Sequence, residues 1–130
     1  MRNIYKIDNY QYVHNNHHFS LNENDQDIQI VPAGQMLVDS DNLAFIYVVE
    51  EGGEYSYLQL PKELWSHLVT ILQSNQNPYI TINGEAIELI NFTEELEMLI
   101  FNIEGNDNYG KEFVDSVEEA FKEIFQKDTF

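Results

Sequence analysis

Apolar and polar side chains alternate through the first part of the chain, whereas beyond residue 61 the apolar positions mostly recur at spacings of three and four. The first rhythm is that of strands, the second that of helices. Ile4-Tyr5-Lys6-Ile7 and Tyr10-Gln11-Tyr12-Val13 are strand candidates, with Asp8-Asn9 between them as a tight turn. Asn15-Asn16 signals a further turn, ahead of a weaker strand over residues 17–21. Residues 22–27 are acidic and polar and read as a loop. Ile28-Gln29-Ile30-Val31 reads as a strand that Pro32-Ala33-Gly34 ends.

The strongest hairpin comes next. Residues 43–49 are aromatic, aliphatic and apolar on both faces, Glu50-Glu51-Gly52-Gly53 turns the chain, and residues 54–60 return in strict alternation. Tyr55, Tyr57 and Gln59 fall on one face of the return strand, and Ser56, Leu58 and Leu60 on the other. Bulk on both faces predicts a central place in a sheet. Pro61 is suited to open a helix, whose apolar stripe is Leu64, Trp65, Leu68, Ile71 and Leu72. Tyr79 to Ile82, Asn83-Gly84 and Glu85 to Leu89 make a second hairpin. Asn91, with Glu94 three residues on, has the form of a capping box for a helix lined by Phe92, Leu96, Leu99, Ile100 and Ile103, and Gly105 suits its end. A last helix is predicted from about Tyr109 to Lys127, lined by Phe113, Val114, Val117, Phe121, Ile124 and Phe125. The tail beyond it, residues 128–130, is expected to fray.

Strands joined by such short linkers pair antiparallel. The prediction is an α+β fold: a predominantly antiparallel sheet, built from an N-terminal meander and hairpins, with about three helices on one face. The 130 residues fit one domain, 1–130, and 43% apolar residues suffice for its core. There is no cysteine, which excludes disulfides, thiolate metal sites and cysteine nucleophiles. No apolar run approaches the length of a membrane span, and polar residues interrupt the start where a secretory signal needs an apolar core. The expected place is the cytoplasm, where Asn91-Phe92-Thr93 has no meaning as a glycosylation acceptor.

Two polar stretches carry a resemblance. One is Pro32-Ala33-Gly34-Gln35-Met36-Leu37-Val38-Asp39-Ser40-Asp41, followed by Asn42-Leu43-Ala44-Phe45. The other is Asn102-Ile103-Glu104-Gly105-Asn106-Asp107-Asn108-Tyr109-Gly110-Lys111-Glu112-Phe113-Val114. Together they resemble the YjbL-like family of short acidic proteins from Bacillus, Staphylococcus and related Gram-positive bacteria. The likeness runs over residues 28–125 and is weaker in the first thirty. It implies a bacterial cytoplasmic protein and brings no catalytic residue with it.

Each candidate site has a structural alternative. Asp39 and Asp41 share a face if the backbone is extended, and paired carboxylates can bind a cation or exchange protons. With Asn42 they equally suit a turn before a buried strand, and the turn is the preferred reading. Glu104, Asn106, Asp107, Asn108 and Tyr109 are rich in oxygen, but Gly110 falls one position late for a helix–loop–helix calcium site, and capping explains the residues better. If the two motifs meet at one sheet end, they could form a carboxylate-based metal site or active site. His14, His17 and His18 are weak metal candidates, since a turn should part them. His67 is expected at the edge of its helix stripe. Ser40, Ser56, Ser66 and Ser74 have no evident base partner, and no phosphate-binding glycine loop occurs. No cofactor is predicted.

Charge alters the picture most. Twenty-three acidic residues face six basic ones, a net charge of −17. Direct binding to nucleic acid or to an anionic membrane is disfavoured, because both need basic side chains. A small non-enzymatic protein-interaction module or regulator is the leading expectation. It would bind a protein partner, or itself as a homodimer, through its acidic surface or the aromatic hairpin bearing Tyr47, Tyr55 and Tyr57. Imitation of DNA phosphates is a lesser alternative.

Overall fold

The computed structural model describes residues 3–21 and 29–127. The loop expected over 22–27, Ile28 and the tail over 128–130 lie outside the described residues; of the strand expected over 28–31, Gln29 and Ile30 are not in a strand, which starts at Val31. The elements in order are β1 (Ile4–Lys6), β2 (Asn9–Val13), β3 (Asn16–Ser20), β4 (Val31–Asp39), β5 (Ala44–Glu51), β6 (Glu54–Pro61), α1 (Trp65–Ser74), β7 (Tyr79–Ile82), β8 (Glu85–Glu88), α2 (Phe92–Ile103), α3 (Lys111–Ala120) and α4 (Lys122–Lys127). The fold is α+β, as the two rhythms of the sequence predict.

The strands divide between two four-stranded sheets, ordered β1-β6-β5-β4 and β2-β3-β7-β8. Both hairpins form as expected. Gly52 and Gly53 have φ of 59° and 82°, and Asn83 and Gly84 have 54° and 77°, the left-handed pair that matches strand twist. β5 and β6 are the two central strands of the first sheet. Four pairings are antiparallel, while β1–β6 and β3–β7 are parallel.

Asp8-Asn9 is not a hairpin turn. The chain leaves the first sheet after Ile7, whose N–H donates to the Gln59 carbonyl, and enters the second at Asn9. Burial of Ile7 at 0% exposure fixes the departure point. The following turn sits at His14-Asn15 (φ 54° and 65°), one residue before Asn15-Asn16, so that Val13 pairs with Asn16. Pro32-Ala33-Gly34 interrupts β4 without ending it: the register shifts between Pro32 and Gln35. A bulge is where a strand tolerates a missing N–H. Gly34 is required there, with φ of 72° and room so short that an added Cβ would lie 2.8 Å from Asn91 Nδ2.

Three helix boundaries also depart from the pattern. Pro61 closes β6, and a 3-10 turn over Lys62–Leu64 precedes α1. Asn91 takes φ of 62° and makes no side-chain cap; Asn77 Oδ1 accepts instead from Thr93 N–H at 3.1 Å and Thr93 Oγ1 at 3.3 Å. The last helix breaks at Phe121, where the side chain is drawn fully into the core.

One cluster of buried side chains joins both sheets to the helices. Phe45 of β5 meets Trp65, Phe113 and Phe121 with ring centroids at 5.2, 5.9 and 6.0 Å. Phe92, the first residue of α2, lies between Tyr47 of the first sheet (5.8 Å) and Phe19 of the second (6.1 Å). Offset and tilted ring pairs of this kind add to area burial. Phe92→Ala is therefore expected to cost about 3–5 kcal/mol in urea unfolding. Asn77→Ala is expected to cost about 1 kcal/mol, and Asn77→Asp less, because the acceptor stays. Equal losses for the two Asn77 variants would refute the capping role.

Candidate functional site

The first polar motif is a strand end and a turn. Asp39 closes β4, Ser40–Asn42 form a 3-10 turn, and Leu43 takes φ of 49° before β5. The backbone is thus not extended through Asp41, and Asp39 and Asp41 do not share a strand face. Asp39 Oδ2 accepts from Asn42 Nδ2 at 2.9 Å and from Gln59 Nε2 at 3.5 Å. Its carboxylate ties the turn to β6. Asn42 and Gln59 also line a shallow cavity of about 560 Å³, with Leu43, Pro61, Glu63 and the lysines Lys6 and Lys62.

The second motif links α2 to α3. Gly105, at φ of 69°, ends α2, and its N–H donates to Glu118 Oε2 at 2.8 Å. Asn106 Oδ1 accepts from Asn108 N–H at 3.1 Å and so caps a 3-10 turn over Asp107–Tyr109. Tyr109 leans on Phe113, and Glu104, Asp107 and Asn108 are exposed. Asn106 Oδ1 is committed to this local cap. The recorded hydrogen bonds of Asp39 run to β6 and to its own turn, and those of this loop run to α2 and α3. Among the described residues, no group of three or more His, Asp or Glu is placed to hold a metal ion.

The histidines separate. His14 lies exposed in its turn, while His17 and His18 are neighbours on β3 and point to opposite faces. His18 stacks on Tyr79 at 5.5 Å. His17 is 1% exposed and sits inside a chain of hydrogen bonds that residue spacing did not reveal. Ser74 Oγ donates to the Ile71 carbonyl at 2.8 Å, so His17 Nε2, 3.0 Å away, is its donor. That leaves Nδ1 to accept from Tyr10 OH at 2.6 Å. Tyr10 in turn stacks on His67 at 4.0 Å, which puts His67 at the stripe edge as expected. A serine nucleophile needs its own proton aimed at an unprotonated imidazole. Here the proton runs the other way, and the network is a neutral, satisfied clasp between β2, β3 and α1. Ser74 and His17 are 57 residues apart, so no local motif could announce it.

Glu51 forms a second clasp. It accepts from Asn3 Nδ2 at 3.0 Å, Tyr5 OH at 2.8 Å and Ser56 Oγ at 2.8 Å, tying β1 to the β5–β6 hairpin. These donors, Asn3 foremost, hold its carboxyl below the usual range against the opposing effect of burial.

The three aromatics grouped by sequence do not lie together. Tyr47 points into the core at 0% exposure and donates to the Ile90 carbonyl at 2.7 Å. Burial, helped by the charges of Glu88 and Glu95 and opposed by a backbone hydrogen bond with Gly34, pushes its phenol up to about 12. It belongs with Phe45 and Val49, on the face that the helices cover. Tyr55 and Tyr57 lie on the opposite face. Strand register places Ile4, Val31, Leu37, Ile46 and Val48 there too. Ile4 is 61% exposed, Val31 60%, Tyr55 49% and Leu37 38%. The ring contacts between this sheet and the helices run through Phe45 and Tyr47, on the other side. Sequence alternation identified the tyrosines of this face but not Leu37 and Val31, because Pro32 and Gly34 hid the full length of β4.

The model of UPF0738, a family of unknown function, matches residues 5–121. The chain belongs to the UPF0738 family. A UPF0738 protein of Lysinibacillus sphaericus is 53% identical over 124 residues, which cover 95% of this chain and 98% of that one. A UPF0738 protein of Staphylococcus epidermidis is 51% identical over 89 residues, 68% of this chain and 73% of its own length. One from Staphylococcus aureus is 51% identical over 88 residues, covering 68% and 72%. The resemblance carried by the two polar motifs thus leads to Gram-positive relatives under the UPF0738 designation, and the YjbL label is not the one they bear. The UPF0738 match also begins at residue 5, so the N-terminal strands lie within the family pattern. No solved structure matches the chain. Among the described residues, no helix is long and apolar enough to cross a membrane.

The His17 clasp sets a pH test. Burial, with the neighbouring charge of His18, lowers the His17 pKa from its ordinary value near 6.5. The neutral form therefore adds stability above about pH 6.5, and that contribution is lost as pH falls through the lowered value. His17→Gln keeps one acceptor and one donor without titrating. The stability advantage of wild type over this variant should shrink between about pH 7.5 and pH 5 in matched thermal melts. An advantage that stays constant would mean His17 does not titrate in that window.

Proposed function

We propose that this UPF0738 chain is a small non-enzymatic interaction protein, a regulator or adaptor that acts by presenting the outward face of its first sheet. The observation that carries the proposal is that Ile4, Leu37, Tyr55 and Val31, each more than a third exposed, lie on the one face of the first sheet that is opposite Phe45 and Tyr47. Exposed apolar side chains gathered on one sheet face supply what a binding surface needs. Tyrosine suits such a face, since it offers wide apolar contact and a polar tip at little entropic cost.

The chemistry of the polar motifs supports the same reading. Asp39 is engaged with Asn42 and Gln59, Asn106 caps its own turn, and the Ser74 proton points away from His17. Asp39, Asn106 and Ser74 each have a structural task in holding the frame. The acidic surface then supplies solubility and repels anionic competitors.

Salt separates the two possible modes of contact. Binding through the open sheet face is apolar and should persist at high salt, whereas binding through carboxylates should fade. The immobilised chain, exposed to lysate at low and at high salt, is expected to retain a partner in both, the chain itself included. Leu37→Ser with Tyr55→Ser should abolish capture while leaving the thermal melt nearly unchanged. Capture of nothing at either salt would overturn the interaction role, and loss at high salt alone would move it to the acidic surface.

A further inference from the structure

In a chain of 23 acidic and six basic residues, a lysine has many carboxylates to pair with. Lys111 and Lys122 do so, with Asp115 and Glu119. Lys6 and Lys62 form no ion pair among the described residues, and both line the same cavity of about 560 Å³. Three separate segments bring its walls together. Lys6 ends β1 beside Gln59 of β6, where the Ile7 N–H donates to the Gln59 carbonyl. Pro61, paired with Ala44, ends β6, and Lys62 opens the 3-10 turn that follows. The turn ahead of Ala44 adds Asn42 and Leu43.

We propose that this cavity is a binding site for a small phosphate monoester. It goes beyond the interaction reading above and does not depend on it. A phosphate monoester carries close to two negative charges at neutral pH and three strong acceptor oxygens. Lysine meets phosphate as a point charge with three donors. Lys62 Nζ spends one N–H on Ser116 Oγ at 3.3 Å, a neutral acceptor, so its charge and two donors remain. Asn42 Nδ2 gives one proton to Asp39 at 2.9 Å and Gln59 Nε2 gives one at 3.5 Å, and each keeps a second on a side chain that lines the cavity. Two ammonium groups with two amide donors exceed what the single charge of a carboxylate uses. Leu43 and the buried Pro61 supply apolar wall for the organic half of the ester. The volume falls in the range of small-molecule sites, whereas inorganic phosphate would leave most of it to water.

The net charge of the chain does not forbid such a ligand. Repulsion from distant carboxylates is screened over about 8 Å at physiological ionic strength, so a small anion responds to the groups around it. The charged residues lining the cavity are Lys6, Lys62 and Glu63, two positive against one negative. Asp39, engaged with Asn42 and Gln59, is not part of the lining. A long polyanion reaches past this range and meets the carboxylates, so the arrangement selects small anions over nucleic acid.

Phenyl phosphate is the probe, titrated into the full nitrogen-15-labelled chain at about pH 7.5 and constant ionic strength, with amide chemical shifts as the readout. Saturable shifts confined to the surroundings of Lys6, Leu43, Gln59 and Lys62 are expected, with a dissociation constant of about 0.1–5 mM. Benzoate, with a similar ring and one charge, should bind at least about fivefold more weakly. Lys6→Gln and Lys62→Gln should each weaken phenyl phosphate at least about fivefold. Lys111→Gln, which alters only an ion pair on α3, should leave binding unchanged. Glu63→Gln should tighten it at least about twofold, a gain that a damaged fold would not produce. All four positions are exposed, and thermal melts establish that each variant is folded. Scattered shifts that do not saturate by about 20 mM, or lysine variants that bind like wild type, overturn the site. Equal affinity for benzoate overturns its assignment to phosphate. None of these outcomes bears on capture through Leu37 and Tyr55, so the two proposals fail separately.

Discussion

A β-strand sends successive side chains to opposite sides, and β5 is apolar and buried at every position from Ala44 to Val49. Such a strand has two faces to satisfy. Phe45, Tyr47 and Val49 are met by Trp65, Phe92, Phe113 and Phe121, which places α1, α2 and the helical C-terminus on one side. Ala44, Ile46 and Val48 face the other way, flanked on their own sheet by Tyr57, Gln59 and Leu37. The position of the helices, the depth of the core and the open face all follow from this one strand. An amphipathic strand in its place would have left a polar outer face and no surface to explain.

Acidity constrains what that surface can do. Among the described residues two ion pairs form, Lys111–Asp115 within α3 and Lys122–Glu119 across the break between α3 and α4, both exposed. Exposed pairs of this kind contribute little, because solvent screens them. Stability thus rests on the apolar core and on neutral clasps, with the carboxylates left to solvent. Glu51, Asp39, Glu95 and Glu118 are exceptions, and each is held by neutral donors. A protein organised in this way tolerates large net charge because few of its internal contacts depend on that charge.

Local chemistry was legible in the sequence; long-range partnership was not. Gly52-Gly53 and Asn83-Gly84 announced their hairpins because left-handed backbone at a two-residue turn demands such residues. The apolar stripes of α1, α2 and α3 were equally plain. Asp8-Asn9 misled because a turn signal does not say which sheet the chain enters next. Asn91-x-x-Glu94 looked like a capping box, yet Asn77, fourteen residues earlier, fills the role and frees Asn91 to pack against Gly34. Tyr47 was grouped with Tyr55 and Tyr57 on composition, although hairpin register, Val48 to Tyr57 and Tyr47 to Leu58, puts it on the other face. That register follows from the Gly52-Gly53 turn, whose geometry separates Tyr47 from Tyr55 and Tyr57.

The buried Tyr10–His17–Ser74 chain shows why proximity of catalytic residue types is a weak guide to chemistry. Three groups common in active sites lie within hydrogen-bond reach, inside a fold that sequence alone could not assemble. Their proton directions decide the matter. Ile71 is the last carbonyl but three in α1, where helix geometry leaves acceptors without an intrahelical partner. Asn75 N–H and Ser74 Oγ both turn to it. Once the serine proton is spent there, His17 must donate from Nε2, and Nδ1 must accept from Tyr10. The end of a helix therefore sets the tautomer of an imidazole on a neighbouring sheet, and fixes β2 and β3 to α1 without any charge. In a chain this acidic, a neutral hydrogen-bonded clasp holds across salt ranges in which an ion pair would weaken.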